Sequence, residues 1–323
     1  KMFRASDGYV LLSSDYSAQE PRITAHMSKD EKMIKAYRDG KDLYVEIASI
    51  AYNLPYDECK EFRADGTKNP KGKERRNAAK AIVLGICYGK GVAAIGEDLG
   101  VSKKKAQEIY DKVMVSFPGL KQLMEDSENM ARDLGFVTTV WGRKRRLPNM
   151  QLPPYEFSYI NGVPKDFDPL FDDEEEFEDG VMEVDEETKQ RYLNQLNRAY
   201  SRKEKENIKA RAKEQGILIK DNGGYIAEAT RQCVNSRIQG SAADQTKLAM
   251  IAVGNDKKLK DLGFRMLLAV HDELIGECPK ENAKEVAERF AHLMVEAAKD
   301  LSVPSKCDVE ITERWYGEPL QID

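Results

Sequence analysis

Residues 267–278 read LLAVHDELIGEC: two apolar runs of strand length on either side of His271, Asp272 and Glu273. So short an apolar–polar–apolar pattern folds back as a hairpin, with the polar trio at its tip. Charge between two buried strands is costly to desolvate unless something binds it. A second apolar run, GYVLLSS (8–14), also ends on a carboxylate, Asp15. If the two strands are neighbours in one sheet, the carboxylates converge, and paired carboxylates at a strand end suit Mg²⁺, which keeps its other positions for water and phosphate oxygens. If they are not, Asp15 is a helix N-cap and Asp272 a turn residue, and both readings stand at this point.

The rest of the chain narrows the fold class. Residues 17–52 read as mostly helical, FRADGTKNPKGKE (62–74) as a Gly/Pro/Lys loop, 75–88 as a helix, and further helices run to about 134. A strand and turn follow at 135–148, then a polar and acidic stretch, a charged helical segment at 187–216, a helix at 225–253, the hairpin at 264–278 and an amphipathic helix at 280–300. Strands and helices mix without βαβ alternation, so the expectation is α+β and not a doubly wound fold.

A net charge of −5 argues superficially against a polyanionic partner. Residues 166–187, however, hold thirteen acidic side chains and no Lys or Arg, so the remainder is basic by 8. A basic groove for phosphates is therefore open to this chain. Five scattered cysteines with no CxxC pair exclude a zinc ribbon and a secreted disulfide framework, and point to a reducing cytoplasm. No run is long and apolar enough for a membrane span, and the first residues do not read as a signal peptide. Lys1 precedes Met2, so the chain reads as a fragment.

Two helical faces carry chemistry. In ERRNAAKAIVLGICYGKG (74–91), Arg76, Lys80, Leu84 and Tyr88 recur every fourth residue, which places two cations one turn apart. Such a pair can grip a triphosphate, or form a solvated basic face over a core stripe. Gly85 and Gly89 each cost about 1 kcal/mol of helix propensity, which hints at close packing or a bend. In RQCVNSRIQGSAADQTKLAM (231–250), Arg231, Asn235 and Gln239 share a face whose donors suit minor-groove acceptors, as does His271.

Together these segments resemble the polymerase domain of family A DNA polymerases, the bacterial DNA polymerase I family. DYSAQEPR (15–22), RRNAAKAIVLGICYG (75–89) and VHDEL (270–274) resemble its three motifs in order; the Arg231–Gln239 helix and WGRKRRLP (141–148) also fit. The resemblance implies a right-hand fold with an antiparallel-sheet palm and helical fingers, divided as 1–40 palm, 41–150 fingers, 151–222 an atypical insertion and 223–323 palm. It implies template-directed DNA synthesis on primer–template DNA from deoxynucleoside triphosphates, by a soluble monomer in the cytoplasm of a bacterium or of a phage's host. Thumb and any exonuclease would lie upstream. Asp15, Asp272 and the Tyr16 carbonyl would hold two Mg²⁺ ions, with Mn²⁺ able to substitute and Glu273 a nearby carboxylate. Arg76 and Lys80 would bind the triphosphate, Lys80 also serving catalysis. Glu20 with Tyr88 would exclude a ribose 2′-hydroxyl, and Arg231, Asn235, Gln239 and His271 would monitor the primer terminus.

Three departures stand out from the family pattern. Leu84 replaces the usual aromatic against the incoming nucleotide, Tyr44 stands where a His often contacts the triphosphate, and Gln19 and Pro21 replace commoner apolar residues. With two insertions, they suggest a divergent, phage-derived member. A single-subunit RNA polymerase is the nearest alternative, and Glu20 argues against it. A non-catalytic DNA-binding module is another, from the helix-turn-helix look of AAIGEDLGVSKKKAQEIY (93–110), yet that pattern leaves Asp15 and Asp272 unexplained. The insertion is expected to fold partly on itself, its acidic block pairing with the basic segment 189–213 or that segment touching DNA.

Overall fold

The computed structural model describes residues 3–166 and 182–320, so most of the acidic block lies outside the described residues. The chain divides into two compact units, residues 1–147 with 231–323, and residues 148–230. In chain order the first unit begins with β1 (Tyr9–Tyr16), α1 (Gln19–Ser28), α2 (Glu31–Arg38), α3 (Leu43–Tyr52), α4 (Pro70–Cys87), α5 (Val92–Leu99), α6 (Lys103–Ser116), α7 (Pro118–Leu134), β2 (Phe136–Thr138) and β3 (Lys144–Arg146). The second unit contains β4 (Tyr155–Tyr159), α8 (Glu186–Arg198), α9 (Arg202–Glu214) and β5 (Ile217–Asp221). Then come α10 (Gly223–Asn255), α11 (Lys257–Asp261), β6 (Arg265–Val270), β7 (Glu273–Pro279), α12 (Ala283–Glu296) and β8 (Cys307–Thr312).

The sheet of the first unit has the order β6-β7-β1-β8, with every pairing antiparallel. The mixed helix and antiparallel-sheet expectation therefore holds, and β1 and β7 are neighbours. Val10, Leu12 and Tyr16 alternate onto one face, where they pack with Leu274, Phe264 and, from α12, Val286, Phe290 and Met294. The opposite face takes Ser13 and Asp15, because side chains alternate along a strand. A separate helical core gathers Ile23, Met33, Leu43, Ile47, Ile82, Ile86, Ile95 and Phe117. Among the described residues no helix is long and apolar enough to cross a membrane.

Helix starts follow side-chain capping. Asp30, Asp42, Asn69, Ser102 and Ser201 each accept a backbone N–H in the first turn of the helix that follows. Asn69 with Pro70 at the first position explains why α4 begins five residues before the expected start at 75. Ser201 likewise breaks the expected single helix 187–216 into α8 and α9. The helix-turn-helix look of 93–110 is α5 and α6 joined through Gly100 at φ +64°, with Ile95, Ile109 and Val113 buried in the helical core. Three strands escaped the sequence pattern: β8, whose polar alternation is that of an edge strand, and β4 with β5.

In β7, Gly276 lies opposite Leu12 and Met266, and the Phe264 ring occupies the space a β-carbon would take. A methyl there would meet Phe264 Cζ and come 2.7 Å from the Arg265 carbonyl. Gly276→Ala is expected to destabilise the protein by about 1–3 kcal/mol, as overpacking does, read as a lower denaturation midpoint with unchanged denaturant slope.

Candidate active site

The end of β1 concentrates negative charge. Asp15 is the register partner of Glu273 on β7 and of Asp308 on β8, and the Tyr16 N–H donates to the Asp272 carbonyl at 3.3 Å. The Asp15 carboxyl lies close enough to those of Asp272 and Glu273 to feel their negative charge. Partial burial, then the negative charges of Asp272 and Glu273, push the Asp15 carboxyl up to about 6. Asp272 owes its place to the two-residue turn between Val270 and Glu273, where His271 sits at φ +56°. Tight hairpins favour a positive φ at the first turn residue, and His tolerates that region better than most side chains. Ser13 Oγ donates to the Glu273 carboxylate, drawing it back along β1.

This donor set fits a hard divalent cation. Two neighbouring carboxylates at a strand end are suited to Mg²⁺ or Mn²⁺, which prefer oxygen. Among the described residues no group of three or more His, Cys, Asp or Glu side chains is arranged for a metal. A cation here would be held by Asp15 and Asp272 with a backbone carbonyl such as that of Tyr16, its remaining positions open to water and phosphate.

Beside this end of the sheet, α4 carries the basic residues. Arg76 Nε donates to Asp42 Oδ2 at 2.6 Å, and its guanidinium lies 5.5 Å from the centroid of the buried Tyr44 ring. Lys80 is exposed and Leu84 half-buried. At the helix end the Tyr88 hydroxyl donates to Glu20 Oε2 at 2.7 Å, and Gln239 of α10 reaches the same phenol. Burial and the bond to Glu20 push that hydroxyl up to about 12, so it remains a donor at neutral pH.

Of the two alternatives for Gly85 and Gly89, close packing or a bend, the structure shows close packing at both, although Gly89 lies just past the end of α4 and not within it. A β-carbon on Gly89, at φ +66°, would lie 2.8 Å from Arg231 Cα, and one on Gly85 would lie 3.2 Å from Ile95 Cγ1. Thus α4 ends against α10, and Glu20, Tyr88 and Gln239 come together. Arg231, Gln239 and His271 are exposed, whereas Asn235 is half-buried with its amide oxygen unpartnered among the described residues.

A cavity of about 580 Å³ joins the start of α1 to the first turn of α3. Ser17, Ala18, Tyr44 and Arg76 line it together with Arg22, Lys41 and Lys306. The sequence reading passed over these three cations and Asp308. Arg22 lies within the quoted first motif, and it is held by Ser17 O at 2.8 Å and by the Tyr37 ring at 4.6 Å. Lys306 and Asp308 belong to the strand region that the pattern missed, and nothing local marked Lys41.

The Asp15 shift sets a pH dependence. In the folded, metal-free protein the carboxyl titrates near 6, against 3.8 ordinarily, so the folded state binds more protons between those values. Stability is therefore highest below about pH 4 as far as this group is concerned, and declines as pH rises to about 6. In chelator, Asp15→Asn should flatten that segment of the stability–pH curve and raise the melting midpoint at pH 7. An unaltered slope would mean that Asp15 carries no such strain.

The chain matches the description DNA polymerase family A over residues 1–157 and 184–317. It is 28% identical over 317 residues to the thermostable DNA polymerase I of Thermus aquaticus, covering 98% of this chain and 28% of that one. It is 32% identical over 309 residues to DNA polymerase I of Streptococcus pneumoniae strain R6, covering 95% of this chain and 26% of that one. Among solved structures, the POL domain of Pol1 from M. smegmatis, in complex with DNA primer-template and dNTP, aligns with a TM-score of 0.67 at 26% identity, covering 97% of this chain and 41% of that chain. The chain thus spans about a quarter of the length of these curated relatives. With the matched residues including both β1 and the β6–β7 hairpin, and the fold that of a family A polymerase domain, this chain belongs to DNA polymerase family A.

Proposed function

We propose that this chain forms the nucleotidyl-transfer centre of a template-directed DNA polymerase, adding deoxynucleotides from their triphosphates to a primer 3′-hydroxyl. The observation that carries the reading is the meeting of Asp15 and Asp272 at one end of the sheet, beside helices that present Arg76, Lys80 and the Glu20–Tyr88 pair. In this reading the sheet is the palm, and α3 to α7 belong to the fingers. The primer-template and dNTP bound by the M. smegmatis domain supply the substrate class.

Asp15, Asp272 and the Tyr16 carbonyl would hold two Mg²⁺ ions. When bound, such ions lower the pKa of an attacking hydroxyl and neutralise charge on the leaving phosphate. The chain's own residues do the rest. Arg76 releases or shares Asp42 to pair with a triphosphate oxygen, and Lys80 neutralises charge that develops on the departing pyrophosphate. Glu20, fixed by the Tyr88 hydroxyl, occupies the volume a 2′-hydroxyl needs. Arg231, Asn235, Gln239 and His271 donate to the purine N3 and pyrimidine O2 acceptors that every base pair presents. No protein nucleophile is required, because phosphoryl transfer of this kind is catalysed by positioning and charge.

Single-nucleotide addition by the protein carrying this sequence tests the reading. Asp15→Ala and Asp272→Ala should each lower the rate by at least ~10²-fold with little change in primer–template affinity, since each removes a charged ligand and no core volume. Turnover within tenfold of the parent in either variant would remove the metal-site assignment. Glu20→Ala should raise ribonucleotide relative to deoxynucleotide incorporation. An unchanged ratio would move sugar discrimination to other residues.

A further inference from the structure

In the second unit, α8 and α9 form a helical pair whose connecting residue, Tyr200, is 100% exposed. The backbone at this tip is fixed. The Tyr200 N–H donates to Glu204 Oε2 at 2.8 Å, and the Glu204 N–H donates to Ser201 Oγ at 3.2 Å, a reciprocal arrangement that closes the start of α9. The ring is thus presented from a held backbone and packs against nothing.

Charge around the ring is one-sided. Residues 198–213 carry seven Lys and Arg against two Glu. Glu204 is used in the capping contact, and Lys209 is paired with both Glu206 at 3.2 Å and Asp221 at 3.0 Å. Among the described residues no carboxylate lies within ion-pair distance of Arg198, Arg202, Lys203, Lys205 or Arg211. Like charges at i,i+3 and i,i+4, such as Arg202 with Lys205 and Lys205 with Lys209, disfavour the helix. An ordinary solvated face intersperses the two signs; this one waits for a polyanion.

Two cavities flank the tip. One, of about 660 Å³, is lined by Arg198, Arg211, Asn207 and Gln195 with the capping Glu204; the other, of about 700 Å³, by Tyr200, Arg202, Lys205 and Lys209, with Glu206 and Asp221 paired to Lys209. Both offer cations and polar donors, and the second sets them beside the Tyr200 ring. A duplex keeps its bases stacked inside and satisfies only the cations, whereas an unpaired strand satisfies the ring as well.

We propose that the α8–α9 tip is a binding surface for single-stranded nucleic acid, with an unpaired base stacked on Tyr200 and flanking phosphates on Arg198, Arg202 and Lys205. The surface is distinct from the nucleotidyl-transfer centre and consists wholly of residues in the second unit.

Anisotropy with a labelled oligo-dT and with a blunt hairpin duplex, over a salt series, tests this on the whole protein. Tyr200→Ala should weaken oligo-dT binding about tenfold and duplex binding less than twofold, and Tyr200→Trp should restore oligo-dT affinity. Arg202→Ala with Lys205→Ala should reduce the slope of log affinity against log salt by about 1.4 for the single strand. Single-nucleotide addition on a primer with a one-base overhang should stay at the parent rate in all three, which separates this surface from the catalytic reading. Equal loss for single strand and duplex in Tyr200→Ala would overturn the stacking role. If the chain's own acidic residues 168–179 occupy the basic face instead, none of the variants alters oligo-dT binding, and the proposal fails.

Discussion

The pairing of β1 with β7 is the constraint on which the rest of the site depends. Side chains alternate in a strand, so a slip of one residue would send Asp15 into the α12 face and expose Leu12 and Tyr16. Burial prevents that slip. Val10, Leu12 and Leu274 are almost wholly enclosed, each worth about 1.5–3 kcal/mol, and the Tyr16 hydroxyl is anchored to the Met294 carbonyl at 2.8 Å. Against this, the partial burial and the neighbouring carboxylates that raise Asp15 from 3.8 to about 6 cost only ~1 kcal/mol once its exposure to solvent is discounted. The apolar side of the strand therefore dictates where the charged side goes, and its burial outweighs the repulsion among the carboxylates.

Asp42 has a comparable role among the helices. It caps α3 through the Tyr44 and Val45 N–H groups, and it holds Arg76, which in turn covers the Tyr44 ring. One carboxylate thereby fixes the start of a helix and the cation that reaches the cavity. Burial raises the Tyr44 phenol well above its ordinary value, so it stays neutral. Where a His can bring positive charge to a phosphate, Tyr44 can bring at most a hydroxyl donor. Lys41, Lys306 and Arg22 line the same cavity, so its basic character does not depend on position 44.

The site was legible in the sequence to the extent that its residues sit in regular elements with strong apolar patterning. Asp15 and Asp272 could be paired because both apolar runs ended on a carboxylate, and Arg76, Lys80 and Tyr88 because helical spacing aligned them. Gly85 and Gly89 announced packing, although the partners, Ile95 and Arg231, are tertiary contacts that no local pattern encodes. Asp308 was invisible for the opposite reason: in an exposed edge strand its alternation with Val309 and Ile311 is indistinguishable from that of a polar loop. The bond from Tyr88 to Glu20 joins residues 68 positions apart, so no local pattern encodes it, and only the family resemblance brought the two together beforehand.

The second unit closes on itself. Tyr155 and Asp221 are register partners across β4 and β5, and the Asn222 N–H donates to the Pro154 carbonyl at 3.0 Å. The chain consequently leaves and returns at points about 5 Å apart, the spacing of paired strands. The described residues between them share a core of Tyr155, Tyr192, Leu196, Ile208 and Ile217. Closing a long loop costs only slightly more than closing a short one, so length here is nearly free of entropic penalty once the two ends are paired. The gap in the family match, residues 158–183, falls inside this closed excursion. Sequence between the paired ends can therefore vary in length and charge while the register of β1 against β7, and with it the Asp15–Asp272 pair, is untouched.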